Sequence, residues 1–300
     1  RAVARATGLP VFGWIPREES LDIPERHLGL IPTAEPGRWQ AFIEAAADQV
    51  AQRLNIDGLL TVARRAPTLS TADLSTFFEG MDRGVAMGGG RPVITVAHDE
   101  AFSFTYRDNL DLLQAAGADL AFFSPVHDRD LPPRTGAVVL SGGFPELYAG
   151  QLAANRELRD ALREAHRRDL PIYAECGGLM YLTETITDLE GCEHEMIGLL
   201  PGRSMMTGQL KLGYREAEAV TGSWLLAKGE TVRGHEFHFS VWDGRPSDLP
   251  PAYVLHSPGS SGERREEGAC LGNLWASYVH LHFWSKPELA MRFVRAAGKQ

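Results

Sequence analysis

The chain has 300 residues, of which 44% are hydrophobic and 23% charged; this composition is typical of a globular protein of about two domains and excludes a mainly disordered chain. Its 30 basic and 39 acidic residues give a net charge of −9, which argues against nucleic-acid binding as the main function. No apolar run approaches the ~18 residues that a transmembrane helix needs.

The first part of the chain shows few regular elements. The stretch VFGWIP (11–16) predicts a short strand, and RWQAFIEAAADQVAQRL (38–54) predicts a helix because apolar residues recur every four positions. LSTADLSTFFEG (69–80) predicts a short capped helix. The glycine-rich run from Gly80 to Pro92 is the best candidate for an interdomain linker.

After this linker, apolar strands alternate with amphipathic helices, which predicts βαβ units and a mostly parallel sheet flanked by helices. We expect strands at 92–99, 120–125, 136–143 and 171–176. We expect helices at 107–118 and 155–169, a helix that begins at Gly177 in GGLMYLTETI, and a final helix in PELAMRFVRAAG (287–298). From about Pro201 the pattern becomes shorter and more strand-like.

The three cysteines, Cys176, Cys192 and Cys270, are too few and too scattered for a disulfide framework or a cysteine-based zinc site. This usage favours a reducing, cytoplasmic location, and we expect no metal site. The sequence begins with Arg1 and shows no signal-peptide pattern, and we expect it to be a fragment of a longer protein.

Cys176 stands between the apolar strand PIYAE and GGLMYL, where a helix is expected to begin. A sharp strand-to-helix turn exposes a nucleophile, glycines at 177 and 178 allow close backbone approach, and a helix N-terminus favours a thiolate. At such a turn, the residue after the nucleophile, here Gly177, is one that often donates an N–H to stabilise an oxyanion. The competing interpretation is a small buried thiol.

A cysteine nucleophile needs a base. His280 and His282 in SYVHLHFW lie two residues apart and would share one face of the strand if this segment is extended. The alternatives are two structural imidazoles at a strand end, one of them exposed, and a zinc pair, although no third ligand stands out. His235 and His238, which flank Glu236 in GHEFHFS, form a second cluster that is either structural or substrate-facing.

A glycine loop, LSGGFPE (140–146), follows a predicted strand. The N–H groups of Gly142 and Gly143 could hold a developing oxyanion, although a tight turn without a ligand is the default interpretation. The sequence contains no GxxxxGK[ST] motif for phosphate binding.

Together these motifs resemble the cobyrinic acid a,c-diamide synthase family, glutamine-dependent ATP enzymes of corrinoid biosynthesis. The matching stretches occur in the expected order: IPERHLGL (23–30), DEAFSFTYRDNLDLL (99–113), FSPVHDRDLP (123–132), LSGGFPELYAGQLAAN (140–155), YAECGGLMYL (173–182), GHEFHFS (234–240) and SYVHLHF (277–283). The combination of YAECGG with GHEFHFS is more specific than any single motif.

The resemblance implies a class I glutamine amidotransferase-like domain at 91–300, preceded at 1–90 by the C-terminal part of an ATP-dependent, dethiobiotin synthetase-like P-loop domain. It implies that Cys176 forms a γ-glutamyl thioester, that His280 is its base, and that Gly142, Gly143 and Gly177 bind glutamine and its oxyanion. His282, His238 and Glu236 are secondary candidates.

The implied ligands are L-glutamine and a cobyrinic acid-type tetrapyrrole, with ATP and Mg²⁺ acting in a part of the enzyme that this chain largely lacks. The implied reaction is amidation of the a and c side-chain carboxylates by the released ammonia. We expect no nucleic-acid or membrane partner; a homodimer is a further expectation.

Two residues depart from the patterns of related enzymes. His282 stands where many class I amidotransferases have a glutamate that orients the base, which favours a Cys–His dyad or a differently placed orienting group. Ser141 stands where the family more often has glycine. The alternatives are the same chemistry on hydrogenobyrinate or a nickel sirohydrochlorin, a non-catalytic glutaminase-like module, and a free-standing cysteine hydrolase.

Overall fold

The computed structural model describes residues 2–18, 21–23, 39–70, 90–256 and 264–299. The chain divides into two compact units, Arg1–Ala72 and Asp73–Gln300. Most of the predicted linker, most of the predicted helix at 69–80, and nearly all of IPERHLGL lie outside the described residues.

In its described part, the first unit contains three α-helices: α1 (Ala2–Thr7), α2 (Gln40–Arg53) and α3 (Ile56–Arg64). The predicted helix at 38–54 is confirmed by α2. The predicted strand at 11–16 is wrong, because this segment forms only an isolated bridge between Gly13 and Leu54. Leu54 directly follows a helix, so it offers a single pairing position rather than the ladder that a strand requires.

The second unit contains thirteen strands and five further helices in its described part. The strands are β1 (Val93–Ala97), β2 (Asp119–Phe123), β3 (Thr135–Leu140), β4 (Ile172–Glu175), β5 (Thr183–Thr187), β6 (Glu193–Glu195), β7 (Leu200–Ala219), β8 (Thr231–Asp243), β9 (Tyr253–His256), β10 (Arg264–Glu267), β11 (Ala269–Leu271), β12 (Leu274–Ser277) and β13 (His280–Leu281). The helices are α4 (Arg107–Ala115), α5 (Ala149–Ala154), α6 (Arg156–Arg167), α7 (Gly177–Leu182) and α8 (Glu288–Ala297).

The central sheet has six strands in the order β11–β12–β4–β3–β1–β2. All neighbours are parallel except β11, which pairs antiparallel with β12 at the edge. The predicted fold class, a mostly parallel sheet flanked by helices, is therefore confirmed. The predicted strands and helices correspond to β1 to β4, α4, α6 and α8, with bounds that differ by up to three residues.

Side chains of this sheet alternate between two apolar layers, as the strand period of two requires. In β3, Ala137 and Val139 join the layer that contains α4 and α8, whereas Val138 and Leu140 join the layer of α5, α6 and α7. Burial on both faces explains why these strands are continuously apolar in the sequence.

A second sheet of seven strands follows the order β10–β9–β7–β5–β6, with β8 pairing β7 and β13 pairing β8. Its long hairpin, β7–β8, is antiparallel. The helix predicted through GGLMYLTETI ends earlier than expected, at Leu182. Residues 183–187 form β5 instead, because the β-branched side chains of Thr183, Thr185, Ile186 and Thr187 favour extended backbone.

The parallel strands bring their carboxyl ends to one edge of the sheet. The strand β4 leads to Cys176, its neighbour β3 leads to the glycine loop, and its other neighbour β12 leads within three residues to His280. None of the helices in the described part of the chain is both long and apolar enough to cross a membrane.

Close packing of α7 on β3 yields a stability prediction. A Cβ atom on Gly178, in the first turn of α7, would lie 2.1 Å from the carbonyl oxygen of Leu140. Gly178→Ala should therefore lower the free energy of unfolding by about 1–3 kcal/mol, measured by denaturant titration. The matched control is Gly150→Ala in α5, where the nearest atom lies 3.9 Å away and alanine should be neutral or slightly stabilising. Equal stability of the two variants would contradict this packing.

Candidate active site

Cys176 occupies a strained turn between β4 and α7. Its backbone adopts φ 50° and ψ −104°, a left-handed conformation that costs a side-chain-bearing residue about 1–3 kcal/mol. Its N–H donates a 2.8 Å hydrogen bond to the carbonyl of Ser277 at the end of β12. The turn therefore fixes the position of the buried thiol relative to two strand ends.

The glycine loop lies directly against this turn. A Cβ atom on Gly177 would lie 3.0 Å from the backbone nitrogen of Gly143 and 2.9 Å from Cδ of Pro145. A Cβ atom on Gly143 would lie 2.0 Å from the carbonyl oxygen of Ala101. No backbone carbonyl in the described part of the chain accepts the Gly143 N–H, and the N–H of Gly177 belongs to the unpaired first turn of α7. Two N–H donors are thus available beside Cys176.

Asp99 fixes the backbone at Ala101 and Phe102, which packs against the glycine loop. One carboxylate oxygen accepts hydrogen bonds from the N–H groups of Ala101 and Phe102, and the other accepts from Ser124 Oγ and Val126 N–H, all within 3.0 Å. This arrangement gives a structural role to the acidic start of the stretch DEAFSFTYRDNLDLL.

Ser141 is buried, and its Oγ donates to the carbonyl of Ala97 at 2.9 Å. The serine thus links the carboxyl ends of β3 and β1. The side chain of Ser141, where the resemblance predicted glycine, is thus accommodated within the sheet.

His280 is the histidine nearest to the thiol. Its imidazole pairs through Nδ1 with Oε2 of Glu175 at 3.4 Å, and Cys176 lies close enough to raise its pKa. The ring fits closely over the glycine loop, because a Cβ atom on Gly142 would lie 2.5 Å from its Cε1. Burial alone would lower the pKa of His280, but its interactions with Cys176 and Glu175 outweigh burial and raise the pKa to about 10. The imidazole is therefore protonated at neutral pH.

Glu175 is a site residue that the sequence patterns did not single out. It is the last residue of β4 and is buried. Its signal in the sequence was a charged residue at the end of an otherwise apolar strand, a position that requires a partner. The partner could not be identified from the sequence, because Glu175 meets His280 only through the fold.

The two histidines of SYVHLHFW have different surroundings. The strand β13 ends at Leu281, and His282 follows it with an extended backbone (φ −95°, ψ 110°). The side chain of His282 is 39% exposed and approaches Asp108 Oδ2 at 3.3 Å, whereas His280 is buried. Asn109 binds the backbone on both sides of His282: its amide nitrogen donates to the carbonyl of Leu281 at 2.8 Å, and its amide oxygen accepts from the N–H of Phe283 at 2.7 Å.

The histidine beside His280 is His235. The two residues are cross-strand partners in β8 and β13, and their rings stack with centroids 5.0 Å apart. Tyr106 hydroxyl lies 3.1 Å from His235 Nδ1. Burial and the neighbouring charge of His280 lower the pKa of His235, although Glu175 acts in the opposite sense.

Glu236 and His238 lie on the other face of β8, because side chains alternate along a strand. Glu236 is fully buried and binds Arg215 at 2.6 Å and Arg265 at 2.7 Å. Burial alone would raise the pKa of Glu236, but hydrogen bonds from His238 and both arginines hold it well below its usual range. His238 stacks on Tyr278 with centroids 4.0 Å apart. Neither residue contacts His280 in this arrangement.

A pocket of about 330 Å³ adjoins His280. Its lining residues are Ser103, Phe104, Thr105, Tyr106, His235, Phe237 and His280. Its volume is within the range of small-molecule sites. In the described part of the chain, no group of three or more His, Cys, Asp or Glu side chains is arranged to hold a metal ion.

Comparison with known proteins identifies the family of this chain. The model of the CobB/CobQ-like glutamine amidotransferase domain matches residues 93–288. A cobyrinate a,c-diamide synthase of Dehalococcoides mccartyi (strain CBDB1) is 44% identical over 302 residues, covering 98% of this chain and 63% of that protein. The protein of the same name from Salmonella typhimurium is 41% identical, covering 99% and 63%.

Among solved structures, PurLQS from Thermotoga maritima has a TM-score of 0.49 at 16% identity, covering 69% of this chain and 97% of that one. The present chain spans about 63% of the length of the two curated relatives it matches. The family resemblance expected from the motifs is confirmed by the sequence matches, and the chain belongs to the CobB/CobQ-like glutamine amidotransferase family.

Proposed function

We propose that the second unit hydrolyses the side-chain amide of L-glutamine, with Cys176 as nucleophile and His280 as the acid and base. The observation that carries the proposal is the buried thiol on a strained turn, close to a buried histidine that pairs through Nδ1 with a carboxylate. A strained cysteine close to a charged imidazole is typical of a catalytic site and argues against a non-catalytic module.

In the proposed reaction the Cys176 thiolate attacks the amide carbon of glutamine. The N–H groups of Gly143 and Gly177 stabilise the negative charge that develops on the carbonyl oxygen. The His280 imidazolium gives its proton to the departing nitrogen, so ammonia leaves and a γ-glutamyl thioester remains. Neutral His280 then takes a proton from water, whose oxygen attacks the thioester, and glutamate is released as the thiolate and imidazolium re-form.

The pocket beside His280 supports this proposal as the place where glutamine is held. Its lining combines the polar residues Ser103, Thr105 and Tyr106 with aromatic ones, the mixture that suits a polar ligand with an aliphatic stem. Aromatic side chains of Phe104 and Phe237 would cover the aliphatic part.

For the whole protein we propose ATP-dependent amidation of the a and c side-chain carboxylates of cobyrinic acid in the cytoplasm, using ammonia from this site. The names of the relatives support this proposal. We further propose that residues 91–300 form the amidotransferase and that residues 1–90 belong to the synthetase domain. The described residues show no carboxylate group suited to Mg²⁺ and the chain has no Walker motif, so they do not fit Mg-ATP and we assign it no step here.

The nucleophile is tested by Cys176→Ser, with Cys192→Ser as the matched control because Cys192 is exposed. Cys176→Ser should lower glutamine hydrolysis by about 10³-fold or more, since no other group replaces a covalent nucleophile. A diazoketone analogue of glutamine should add to Cys176 and to neither other cysteine, as read by peptide mass spectrometry. Normal turnover in Cys176→Ser would refute the assignment.

The linked synthetase activity provides a separate readout. In the whole protein, Cys176→Ser should abolish amidation of cobyrinic acid with glutamine but leave amidation with ammonium salts near the wild-type rate. This pattern is expected because ammonia bypasses only the glutaminase step. Loss of both activities would indicate damage to the fold or a role for Cys176 outside glutamine hydrolysis.

The base is tested by comparing His280→Ala with His282→Ala. His280→Ala should reduce glutamine hydrolysis by about 10²–10⁴-fold, the usual contribution of a general acid and base. His282→Ala should change it less than about tenfold, because a surface contact with Asp108 is worth little. Rates of Cys176 alkylation at neutral pH should follow the same order. A larger loss in His282→Ala would reverse the assignment.

A further inference from the structure

The Glu175 carboxylate is fixed on both of its oxygens. Oε1 accepts hydrogen bonds from the hydroxyl of Tyr173 and from the N–H of Leu281, the latter at 2.8 Å. These two donors leave Oε2 to face Nδ1 of His280. Because Leu281 follows His280 directly, one carboxylate holds both the ring of the histidine and the backbone beside it.

The charge of Glu175 also depends on His280. Both side chains are less than one-tenth exposed, and an isolated buried carboxylate is strongly unfavourable. In the described part of the chain, His280 is the only ion-pair partner of Glu175, and no lysine or arginine reaches it. The imidazolium and the carboxylate therefore stabilise each other.

The sharp turn at Cys176 allows consecutive residues to reach the same imidazole. In a regular strand, Glu175 and Cys176 would point to opposite faces of the sheet. The positive φ of Cys176 ends the strand there, so the thiol approaches His280 as well. The ring is then approached by both side chains, with the carboxylate facing Nδ1.

We propose that Glu175 is the positioning residue for His280: it orients the ring, selects the tautomer with a proton on Nδ1, and keeps the imidazolium charged beside the Cys176 thiolate. This inference rests on the proposed glutaminase function for its catalytic meaning. With Glu175 in this role, the site is a triad of Cys176, His280 and Glu175. Its orienting carboxylate directly precedes the nucleophile in the sequence, instead of following the histidine.

In the described part of the chain, the titratable groups that face His280 are Glu175 and Cys176 at the end of β4, and His235 from β8. Tyr106 lies behind His235. Of these, Cys176 and Glu175 raise the pKa of His280 against the effect of burial, and the result is about 10. Removing the charge of Glu175 should therefore make His280 lose its proton at a lower pH.

The experiment compares the wild-type chain with Glu175→Gln, Glu175→Asp and Glu267→Gln. Glutamine preserves the size of Glu175 but removes its charge, and aspartate preserves the charge on a shorter side chain. Glu267 is the matched control, since it is a buried carboxylate that binds Ser277 Oγ at 2.5 Å and Tyr278 N–H at 2.7 Å without contacting His280. Thermal unfolding of each variant records its effect on the fold.

The first readout is the titration of His280 by NMR of histidine-labelled protein, with the signal assigned by its loss in His280→Asn. The midpoint should fall by at least about one pH unit in Glu175→Gln, a tenfold loss of proton affinity. It should recover in part in Glu175→Asp and stay at the wild-type value in Glu267→Gln. This readout does not depend on any enzymatic activity.

The second readout is the rate of glutamine hydrolysis against pH. Glu175→Gln should lower kcat about 10²-fold, because the proton is no longer held on Nδ1 and His280 cannot exchange a proton correctly at the thiol. It should also move the alkaline decrease in rate to lower pH, with little change in KM. An unchanged midpoint for His280, or an equal shift in Glu267→Gln, would overturn the proposal even if activity fell. A wild-type chain without glutaminase activity but with the expected shift would refute the proposed function and leave the role of Glu175 standing.

Discussion

The close approach of three backbone segments around Cys176 is the constraint on which the site depends. Side chains at Gly143 and Gly178 would lie within 2.1 Å of carbonyl oxygens from neighbouring segments, and one at Gly142 would overlap the ring of His280. Only glycine permits these contacts. The same contacts hold the strained turn at Cys176 in place, because the surrounding segments leave it no room to relax.

Buried charge is the second consequence of this packing. The side chains of Glu175, Cys176 and His280 are all buried, where an unpaired charge would be costly. The hydroxyl of Tyr173 and the N–H of Leu281 supply the remaining hydrogen bonds of the carboxylate. The three groups therefore act as a unit, and removal of any one should cost more than its pairwise contacts suggest.

The sequence predicted the central sheet well because that signal is local. Apolar runs, helix periodicity and the Cys-Gly-Gly turn all lie within short windows, and they identified β4, α7 and Cys176 in advance. The contact between Glu175 and Leu281 joins residues 106 positions apart, and no local pattern encodes it. The same holds for Asn109, which bonds the carbonyl of Leu281 and the N–H of Phe283 on the two sides of His282.

Strand register explains why the second histidine cluster was harder to interpret. The motif GHEFHFS offers two histidines and a glutamate, and in a strand only alternate residues can face one site. The register pairs His235 with His280, which places Glu236 and His238 on the opposite face with Arg215 and Arg265. A shift of one residue would have brought Glu236 to His280 instead. The motif alone does not fix that register; the pairing of β8 with β13 does.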